Sequence, residues 1–554
     1  MTESRYAAKP WLALLSEAQK GAISPAGSLV HALRRVVAET PDSDFLAYFD
    51  GRLTYRDVDE LSDSVAGHLA VRGLERGDRV AVLLQNSPHF VLAVLGAWKA
   101  GAVVVPVNPM YKSGEVAHVL RDGEVAALIC SDRAWESYLR ETAADSPVRI
   151  ALTGCERDFQ TRDDARVLTF ERLPQAPDAD DLVTVARAGN KAPADRTPGP
   201  SDIALISYTS GTSGTPKGAT NTHGNIMYNA ERQRTGLGLP EQPVYFAMAP
   251  LFHITGMVCQ FGACLTSGGT LVLAYRFEAG TVLDAFTEHA PHYTVGPSTA
   301  FMALAAHPSV TRDHFSSFRV ISSGGAPLPP ALVEKFRAGF GPYIRNGYGL
   351  TECTAPCASV PPGLEAPVDP ASGTLAVGLP GPDTVVRIVD DNGEEVPFGE
   401  QGEIAVRGPQ VVPGYWRRAD ATAETFPGAE LRTGDIGFMD EQGWLYVVDR
   451  KKDMINASGF KVWPREVEDV LYTHPAVREA AVVGVPDGYR GETVKAYISL
   501  RPDAETDPDA LAAYCKERLA AYKYPRQVEI LPDLPKTASG KILRRELRSR
   551  TQDN

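Results

Sequence analysis

A stretch rich in glycine, serine and threonine, YTSGTSGTPKGA, runs from Tyr208 to Ala219 and directly follows an apolar run that predicts a strand. Ligands in open α/β sheets bind beyond the carboxyl ends of the strands. Glycines let the backbone approach a ligand, and N–H groups and hydroxyls donate to phosphate oxygens. The stretch is therefore a candidate phosphate loop, with the candidate binding residues Thr209, Ser210, Gly211, Thr212, Ser213, Gly214, Thr215 and Lys217.

Two other interpretations of this stretch are weaker. A flexible linker fits its composition, but does not explain the preceding strand or the Pro-Lys-Gly ending. A Walker A loop requires glycine directly before its lysine and serine or threonine directly after it. Here Pro216 precedes Lys217 and Gly218 follows it, which disfavours kinase and P-loop chemistry.

Four other side chains could act on a nucleotide or a carboxylic acid. Glu352 lies in NGYGLTE, Asp435 in TGDIG, His253 in FHITG and Lys541 in SGKIL. Each motif alone is equally typical of a turn, a helix cap, a core histidine or a charged surface. These residues therefore become informative only in combination.

Length and composition exclude several classes of protein. A chain of 554 residues with 44% hydrophobic residues is expected to form more than one domain. A formal net charge of −13 argues against a nucleic-acid-binding protein, which normally presents a basic surface. Seven scattered cysteines fit a reducing compartment better than a disulfide framework. We therefore expect a cytoplasmic enzyme or binding protein with small-molecule partners.

No transmembrane segment is expected. The N-terminal residues lack the apolar core of a signal peptide. The most apolar window, Phe90 to Val107, is interrupted by Lys99 and predicts a buried helix and strand.

The elements that would position the candidate residues alternate between helix and strand. A helix ending near Gly73 is followed by a buried strand from Arg79 to Leu84, and another apolar run extends from Val125 to Asp132. This alternation predicts a parallel sheet covered by helices on both faces. The segment from Glu156 to Pro200 has weak periodicity and is predicted to be mostly surface loop.

The pattern changes in the C-terminal third. Alternating strands beyond Gly381 predict a smaller β-rich subdomain, and the segment from Met454 predicts a compact α+β unit. The sequence thus predicts an α/β protein. A large N-terminal domain of stacked α/β sheets carries the β-rich subdomain, and a small α+β domain follows it.

In their order along the chain, the motifs resemble those of the adenylate-forming enzymes, the AMP-binding acyl-CoA synthetase superfamily. The similarity extends from about Leu53 to Arg548. The motifs that carry it are YTSGTSGTPKGA, FHITG (252–256), SSGGAPL (322–328), NGYGLTE (346–352), GEIAVRGPQVVPGYW (402–416), LRTGDIGFMDEQGWLYVVDRKKDMINASGFKVWPREVE (431–468) and LPKTASGKILRREL (534–547).

The resemblance implies how ATP would be held. The phosphate loop would bind the β- and γ-phosphates, and Glu352, beside Thr351, would bind the accompanying Mg²⁺. Oxygen ligands suit this hard cation, which takes few of them from protein. Tyr348 would stack on adenine. Small residues would border the nucleotide or the acyl group, namely Gly324, Gly325, Ala326, Asn346, Gly347 and Gly349.

The resemblance also assigns roles around the ribose and the hinge. Asp435 would accept hydrogen bonds from both ribose hydroxyls, and Arg450 would contact ribose or phosphate. Lys452 would be the pivot of a mobile C-terminal domain, and Gly459 would line the pantetheine tunnel. The implied domains are 1–449, a hinge at 450–452, and 453–554.

Two residues would act on the acid. Lys541 would lie between the carboxylate and the α-phosphate in the first half-reaction, where negative charge accumulates. His253 would stand at the mouth of the acyl pocket. That pocket is expected near His253–Met257, Pro297–Met302, Gly324–Gly325 and Cys353–Thr354, to be largely apolar, and to contain no arginine for a dicarboxylate.

The implied reaction uses ATP, Mg²⁺ and CoA. A carboxylate attacks ATP to give acyl-AMP and pyrophosphate, and the CoA thiol then forms acyl-CoA and releases AMP. The stretch KDMINASGFKVWPREVE is most similar to fatty acyl-CoA synthetases of medium- and long-chain type. An apolar pocket discriminates poorly between hydrocarbon shapes, so the chain length stays open.

Four alternatives share parts of this pattern. An aryl ligase related to coumarate–CoA ligases has most of the same motifs, and an acyl-AMP ligase would load a carrier protein instead of CoA. A luciferase-like enzyme is disfavoured, because Asn456 stands where luciferases have lysine. A non-enzymatic nucleotide-binding protein is disfavoured by the joint presence of Lys217, Glu352, Asp435 and Lys541.

Overall fold

The computed structural model describes residues 4–21, 23, 27–209, 216–450, 453–457, 460–487, 491–537 and 540–550. The α-helices in these residues are α1 (Glu17–Lys20), α2 (Leu29–Glu39), α3 (Tyr55–Val71), α4 (Pro88–Lys99), α5 (Ser113–Asp122), α6 (Asp132–Ala134), α7 (Arg140–Ala144), α8 (Leu182–Arg187), α9 (His223–Gly236), α10 (Ala263–Ser267), α11 (Ala279–His289), α12 (Ser298–Ala306), α13 (Pro330–Phe340), α14 (Ala419–Thr425), α15 (Pro464–Tyr472), α16 (Pro508–Lys516) and α17 (Arg544–Ser549).

The strands in the same residues are β1 (Asp44–Tyr48), β2 (Gly51–Thr54), β3 (Arg79–Leu83), β4 (Val103–Pro106), β5 (Val125–Ser131), β6 (Ile150–Gly154), β7 (Asp180–Asp181), β8 (Ile203–Thr209), β9 (Lys217–Thr222), β10 (Val244–Phe246), β11 (Thr270–Leu273), β12 (Tyr293–Gly296), β13 (Val320–Ser323), β14 (Ile344–Tyr348), β15 (Ala358–Ser359), β16 (Leu379–Pro380), β17 (Val385–Val389), β18 (Gly402–Arg407), β19 (Leu431–Met439), β20 (Leu445–Arg450), β21 (Ile455–Ala457), β22 (Phe460–Val462), β23 (Val477–Asp487), β24 (Gly491–Leu500) and β25 (Gln527–Ile530).

Two large sheets form most of the protein. In one, the strand order is β7-β6-β5-β3-β4-β8-β9, and all neighbours are parallel except β8 and β9. In the other, the order is β16-β15-β14-β13-β12-β10-β11-β1-β2, with parallel strands from β14 to β1 and antiparallel pairs at both edges. The predicted parallel, helix-covered architecture is therefore confirmed.

A shared core lies between these sheets. Helices α2, α3, α4, α9 and α10 contribute buried side chains to one cluster with strands of both sheets. Every residue of α4 is buried, including Lys99, whose ammonium lies 2.6 Å from Asp59 and 2.7 Å from Asp63. These carboxylates explain how a lysine is tolerated in the apolar window, because a buried cation needs paired anions. The predicted buried helix and strand are α4 and β4.

The C-terminal third contains two smaller sheets. Strands β17-β18-β19-β20 form an antiparallel sheet, which confirms the predicted β-rich subdomain. Strands β22-β21-β24-β23, with β25 beside β24, form the sheet of the C-terminal domain, accompanied by α15, α16 and α17. The predicted α+β unit is therefore present, while its boundary at 450–452 stays a prediction.

The segment from Glu156 to Pro200 is more ordered than predicted. It contains the short strand β7 and helix α8, whose Leu182 and Val185 are buried. A helix of six residues is too short to show the periodicity on which the prediction relied. Among the described residues, no helix has the length and apolar character needed to cross a membrane.

Candidate functional site

The predicted phosphate loop connects two paired strands. Thr209 ends β8 and lies opposite Lys217, the first residue of the antiparallel strand β9. The hydroxyl of Thr209 donates to the carbonyl of Lys217 over 3.4 Å. Both ends of the loop thus lie at the carboxyl end of β8, as predicted. The residues between them, Ser210, Gly211, Thr212, Ser213, Gly214 and Thr215, lie outside the described residues.

One tyrosine joins the end of this loop to Glu352. The Tyr415 hydroxyl donates to Glu352 Oε1 over 2.8 Å, and Lys217 Nζ lies 5.4 Å from the centre of the Tyr415 ring. Burial and the adjacent Glu352 carboxylate raise the pKa of Tyr415, so the phenol stays protonated and donates. Tyr415 therefore brings together two predicted site residues. The sequence did not predict this role, because Tyr415 and Glu352 are 63 positions apart and no local pattern links them.

Two asparagines, Asn221 and Asn229, hold the turn that carries Glu352. Glu352 and Thr351 lie in a one-turn 3₁₀ helix. The amide of Asn221 donates to the Thr351 carbonyl over 3.0 Å, and the amide of Asn229 donates to the Ala355 carbonyl over 2.9 Å. The intervening Asn225 caps α9 and donates to the Pro409 carbonyl over 2.7 Å. Asn225 and Asn229 lie four residues apart on α9, whereas Asn221 lies on β9, and nothing local in the sequence indicates the partners of any of the three.

A second tyrosine–carboxylate pair lies at the end of β14. The Tyr348 hydroxyl donates to Asp435 Oδ2 over 2.6 Å, and the Asp435 side chain is buried. Arg450 stands opposite Asp435 in the β19–β20 pairing, although its side chain is outside the described residues. The structure therefore brings together the three residues predicted to contact adenine and ribose.

The predicted small residues border a cavity beside this pair. The cavity has a volume of about 120 Å³. Gly325 has a left-handed φ of +77°, which a side chain would strain. Ala326 continues the turn after Gly325 but does not line the cavity. The predicted site residues in its wall are Gly324, Gly325, Asn346, Gly347, Tyr348 and Gly349.

The rest of the cavity wall differs from the predicted acyl pocket. Thr255 and Cys259 contribute to it, but much of the wall comes from α9 and from the loop after Thr354. The wall includes an arginine, Arg232, which was not foreseen. The hydroxyl of Ser323 is buried in the wall and has no hydrogen-bond partner among the described residues, so it is available to a ligand.

The loop of Lys541 contacts the large domain near His253. The Thr299 hydroxyl, in the first turn of α12, donates to the Gly540 carbonyl over 3.4 Å. The hydroxyl of Thr537 accepts the Lys541 N–H over 3.1 Å and closes the turn. Burial, and then the positive charge of Lys541, lower the pKa of His253 to about 4. The positive charge of Lys541 is therefore within electrostatic range of the predicted pocket histidine.

The proximity of these two residues can be measured. His253 Nδ1 accepts the Thr255 N–H over 3.4 Å, an arrangement that requires the neutral ring. Removing the charge in Lys541→Met should raise the pKa of His253 from about 4 toward its usual value of 6.5. Titration by NMR with labelled histidine, assigned with His253→Gln, would follow the change. An unchanged pKa in Lys541→Met would contradict the placement.

An ion cluster surrounds the predicted hinge. Arg544, three residues after Lys541, donates through Nη2 to both oxygens of Glu468 at 2.7 Å. Its Nη1 lies 3.1 Å from Asp449 and 3.5 Å from Asp453, the residues that flank 450–452. Lys452 and Gly459, the predicted pivot and tunnel residue, lie outside the described residues, and Asn456 is exposed on β21.

The donor set suits magnesium held jointly by protein and ATP. In the described part of the chain, no three His, Cys, Asp or Glu side chains are grouped as a metal site. Glu352 offers one half-buried carboxylate, oriented by Tyr415 and close to the end of the phosphate loop. Mg²⁺ bound with ATP typically takes one or two carboxylates together with phosphate oxygens and water. These residues therefore fit the predicted ion.

Comparison with known proteins agrees with this geometry. The sequence model described as AMP-binding enzyme matches residues 33–416, and that of the AMP-binding enzyme C-terminal domain matches residues 466–541. A long-chain-fatty-acid–CoA ligase of Bacillus subtilis (strain 168) is 33% identical, with 99% of each chain covered. A feruloyl-CoA synthase of an Amycolatopsis species is 36% identical, with 90% of this chain and 94% of that protein covered.

The fold matches a solved structure of the same kind. The crystal structure of the anthranilate CoA ligase AuaEII in complex with anthranoyl-AMP superposes with a TM-score of 0.86 at 28% identity, covering 96% of this chain and 98% of that chain. The chain belongs to the AMP-binding enzyme family. Within that family it is an adenylate-forming CoA ligase, an AMP-forming acyl-CoA synthetase. The predicted family, fold class and enzyme class are confirmed, and membership supports the use of ATP and CoA.

Proposed function

We propose that this ligase activates a medium- or long-chain fatty acid. The observation that carries the proposal is the cavity that begins at Gly324 and Tyr348 and continues along α9 to Gly236. From Asn229 to Gly236 the helix rises about 10 Å. This length suits an extended alkyl chain, and the likeness to a long-chain-fatty-acid–CoA ligase over 99% of both chains supports the same choice.

In the first step, the acid carboxylate attacks the α-phosphorus of ATP. A bond forms between a carboxylate oxygen and the α-phosphorus. The bond between the α-phosphorus and the oxygen that bridges it to the β-phosphate breaks, and pyrophosphate leaves. Lys217 and the phosphate loop would hold the β- and γ-phosphates, and Lys541 would stabilise the charge that develops between the two anions. Glu352 would bind Mg²⁺, which neutralises phosphate charge when bound.

The adenosine would bind at the tyrosine–carboxylate pair. Tyr348 would present its ring to adenine while its hydroxyl aligns Asp435, with which it shares a hydrogen bond of 2.6 Å. Asp435 is then oriented for the ribose hydroxyls, a task suited to a carboxylate that only accepts. Arg450, opposite Asp435 in the sheet, is proposed to contact ribose or phosphate.

In the second step, the CoA thiol attacks the acyl carbon and AMP leaves. We propose that residues 453–554 rotate about the hinge at 450–452, withdraw Lys541 and present Gly459 to the pantetheine chain. The contact between Gly540 and Thr299 is consistent with the arrangement proposed before that rotation. A few residues at the end of β20 suffice for such a hinge. The proposed location is the cytoplasm, which suits seven unpaired, buried cysteines.

The direct test is pyrophosphate release from ATP with acids from acetate to palmitate, together with benzoate, cinnamate and ferulate. We expect activity to rise with chain length, to require Mg²⁺, and to yield AMP and acyl-CoA when CoA is added. ADP as the product would overturn the proposal. A preference for CoA over a holo-carrier protein in competition would exclude the carrier-loading alternative.

An aryl acid is the second candidate. It is favoured by the likeness to a feruloyl-CoA synthase, 36% identical over 90% of this chain. Higher kcat/KM for ferulate or cinnamate than for every aliphatic acid in the panel would establish it in place of the fatty acid.

A further inference from the structure

The N-terminal segment, residues 15–21, closes one end of the cavity. Leu15 and Gln19 line it, together with residues of α9 and of the chain around β16. Leu15 and Gln19 are only 7% and 8% exposed, so they form a packed surface there. Gly21 and Arg232, which are joined by a hydrogen bond, are 211 positions apart in the sequence.

This closed end lies away from the nucleotide side. Gly347 pairs with Ser359 of β15, and Ser359 pairs with Leu379 of β16. Two strand spacings amount to about 10 Å. The N-terminal chain meets the residues just beyond Leu379, because Lys9 donates to the Pro382 carbonyl and the Ile23 N–H donates to Asp383. Its side chains would therefore meet the tail of an acid and not its carboxylate.

Arg232 fastens the segment to α9. Its Nη2 donates to the Gln19 carbonyl over 2.9 Å, and its Nη1 donates to the Gly21 carbonyl over 3.1 Å. These carbonyls belong to the carboxyl end of the short helix α1, where a cation is favourable. Both Nη atoms thus act on the N-terminal backbone, so Arg232 is not directed at a substrate carboxylate.

Further contacts fix the same segment. Ser16 and Gln19 form a capping box in α1, and the Gln19 amide also reaches the Pro362 carbonyl over 3.5 Å. The Ile23 N–H donates to Asp383 over 3.4 Å, and the Tyr228 hydroxyl donates to the same carboxylate over 3.5 Å. The end of the cavity is therefore assembled from elements that only the folded chain brings together.

We propose that residues 15–21, fastened by Arg232, form the end wall of the acid cavity and limit the length of the acid. The inference rests on the proposed function, since it requires that the acyl chain occupy this cavity. A tail that reaches the wall gains apolar burial up to that point and meets packed side chains beyond it. Leu15, Gln19 and Arg232 are thus specificity-determining residues.

Two variants should shift the chain-length profile in opposite directions. Arg232→Met keeps the apolar stem but removes both bonds to the segment, so the wall can yield to a longer acid. Each additional methylene that becomes buried should raise kcat/KM about fourfold. Leu15→Trp fills the end of the cavity and should lower kcat/KM for the longest acids while sparing octanoate. The KM for ATP should stay within about twofold in both, because the wall is remote from the nucleotide side.

The control is Arg234→Met on the same helix. Arg234 is exposed and pairs only with Glu231, 2.6 Å away, among the partners that the described structure gives it. The chain-length profile of Arg234→Met, measured by pyrophosphate release with C6 to C20 acids, should match that of the wild type.

The outcomes separate this inference from the proposed function. Opposite shifts in Arg232→Met and Leu15→Trp support the end wall, and if one variant does not fold, the shift in the other decides. An equal loss at all chain lengths, or an unchanged profile, overturns the wall while leaving fatty acid activation intact. A wild-type enzyme that releases no pyrophosphate with any aliphatic acid overturns the proposed function itself.

Discussion

Replacing Lys541 with alanine is expected to slow acyl-adenylate formation by about 10²–10³-fold, the usual cost of removing one preorganised electrostatic contact to a transition state. The reaction joins two anions and adds charge at the α-phosphate. The turn that carries Lys541 is held against α12 through Gly540 and Thr299, and the ammonium lies close enough to lower the pKa of His253.

The same replacement should leave the second step largely unaffected. If Lys541 acts only while the carboxylate attacks ATP, then acyl-AMP supplied directly should still react with CoA at close to the wild-type rate. Pyrophosphate release in single turnover reports the first step, and acyl-CoA formation from synthetic acyl-AMP reports the second. Lys516→Ala, an exposed lysine at the end of α16, is the matched control and should change neither rate. Equal losses in both steps would refute the role of Lys541.

Local patterns predicted the elements of the fold well. The apolar run before the Ser/Thr/Gly stretch is β8, the interrupted apolar window is α4 and β4, and the C-terminal unit has its predicted strands and helices. These signals depend on neighbouring residues along the chain, such as periodicity and glycine at element ends. The short helix α8 was missed because six residues give too little periodicity.

The contacts that shape the site could not be predicted in this way. Tyr415 and Glu352 are separated by 63 positions, and Arg232 and Gly21 by 211. No local property of a tyrosine in a glycine-proline turn, or of an arginine on a polar helix face, indicates its hydrogen-bond partner. The motif order suggested which residues share a site, whereas the supporting bonds from Tyr415, Asn221 and Asn229 depend on the tertiary fold.

The ion cluster at the hinge gives the second large expected effect. Arg544→Met should destabilise the C-terminal domain by about 3 kcal/mol, because removing one partner of a buried ion pair leaves a charge without compensation. The side chains of Arg544 and Glu468 are 19% and 6% exposed, and Glu468 also accepts the Val482 N–H over 2.8 Å. Hydrogen exchange of the β23 amides in the full-length protein measures the local opening free energy, which avoids assuming two-state unfolding of several domains.

The loss of stability in Arg544→Met should depend on pH. Burial raises the pKa of Glu468 while Arg544 lowers it, so the variant should show a still higher pKa. A carboxyl group whose pKa is higher in the folded state than in the unfolded state stabilises the folded state at low pH. This contribution is complete below the unfolded pKa and is lost as the pH rises through the folded pKa. The deficit of Arg544→Met should therefore be greater at about pH 8 than at about pH 5.5.

Two companion variants determine whether the ion pair is responsible. Glu468→Gln in the Arg544→Met background removes the stranded charge, so it should restore part of the stability and abolish the pH dependence. Arg545→Met changes the adjacent, exposed arginine and should have little effect. A deficit for Arg544→Met that equals that of Arg545→Met, or that stays constant with pH, would mean that Glu468 does not depend on Arg544. Because Arg544 also contacts Asp449 and Asp453, a confirmed deficit would tie the stability of the Lys541 segment to both sides of the predicted hinge.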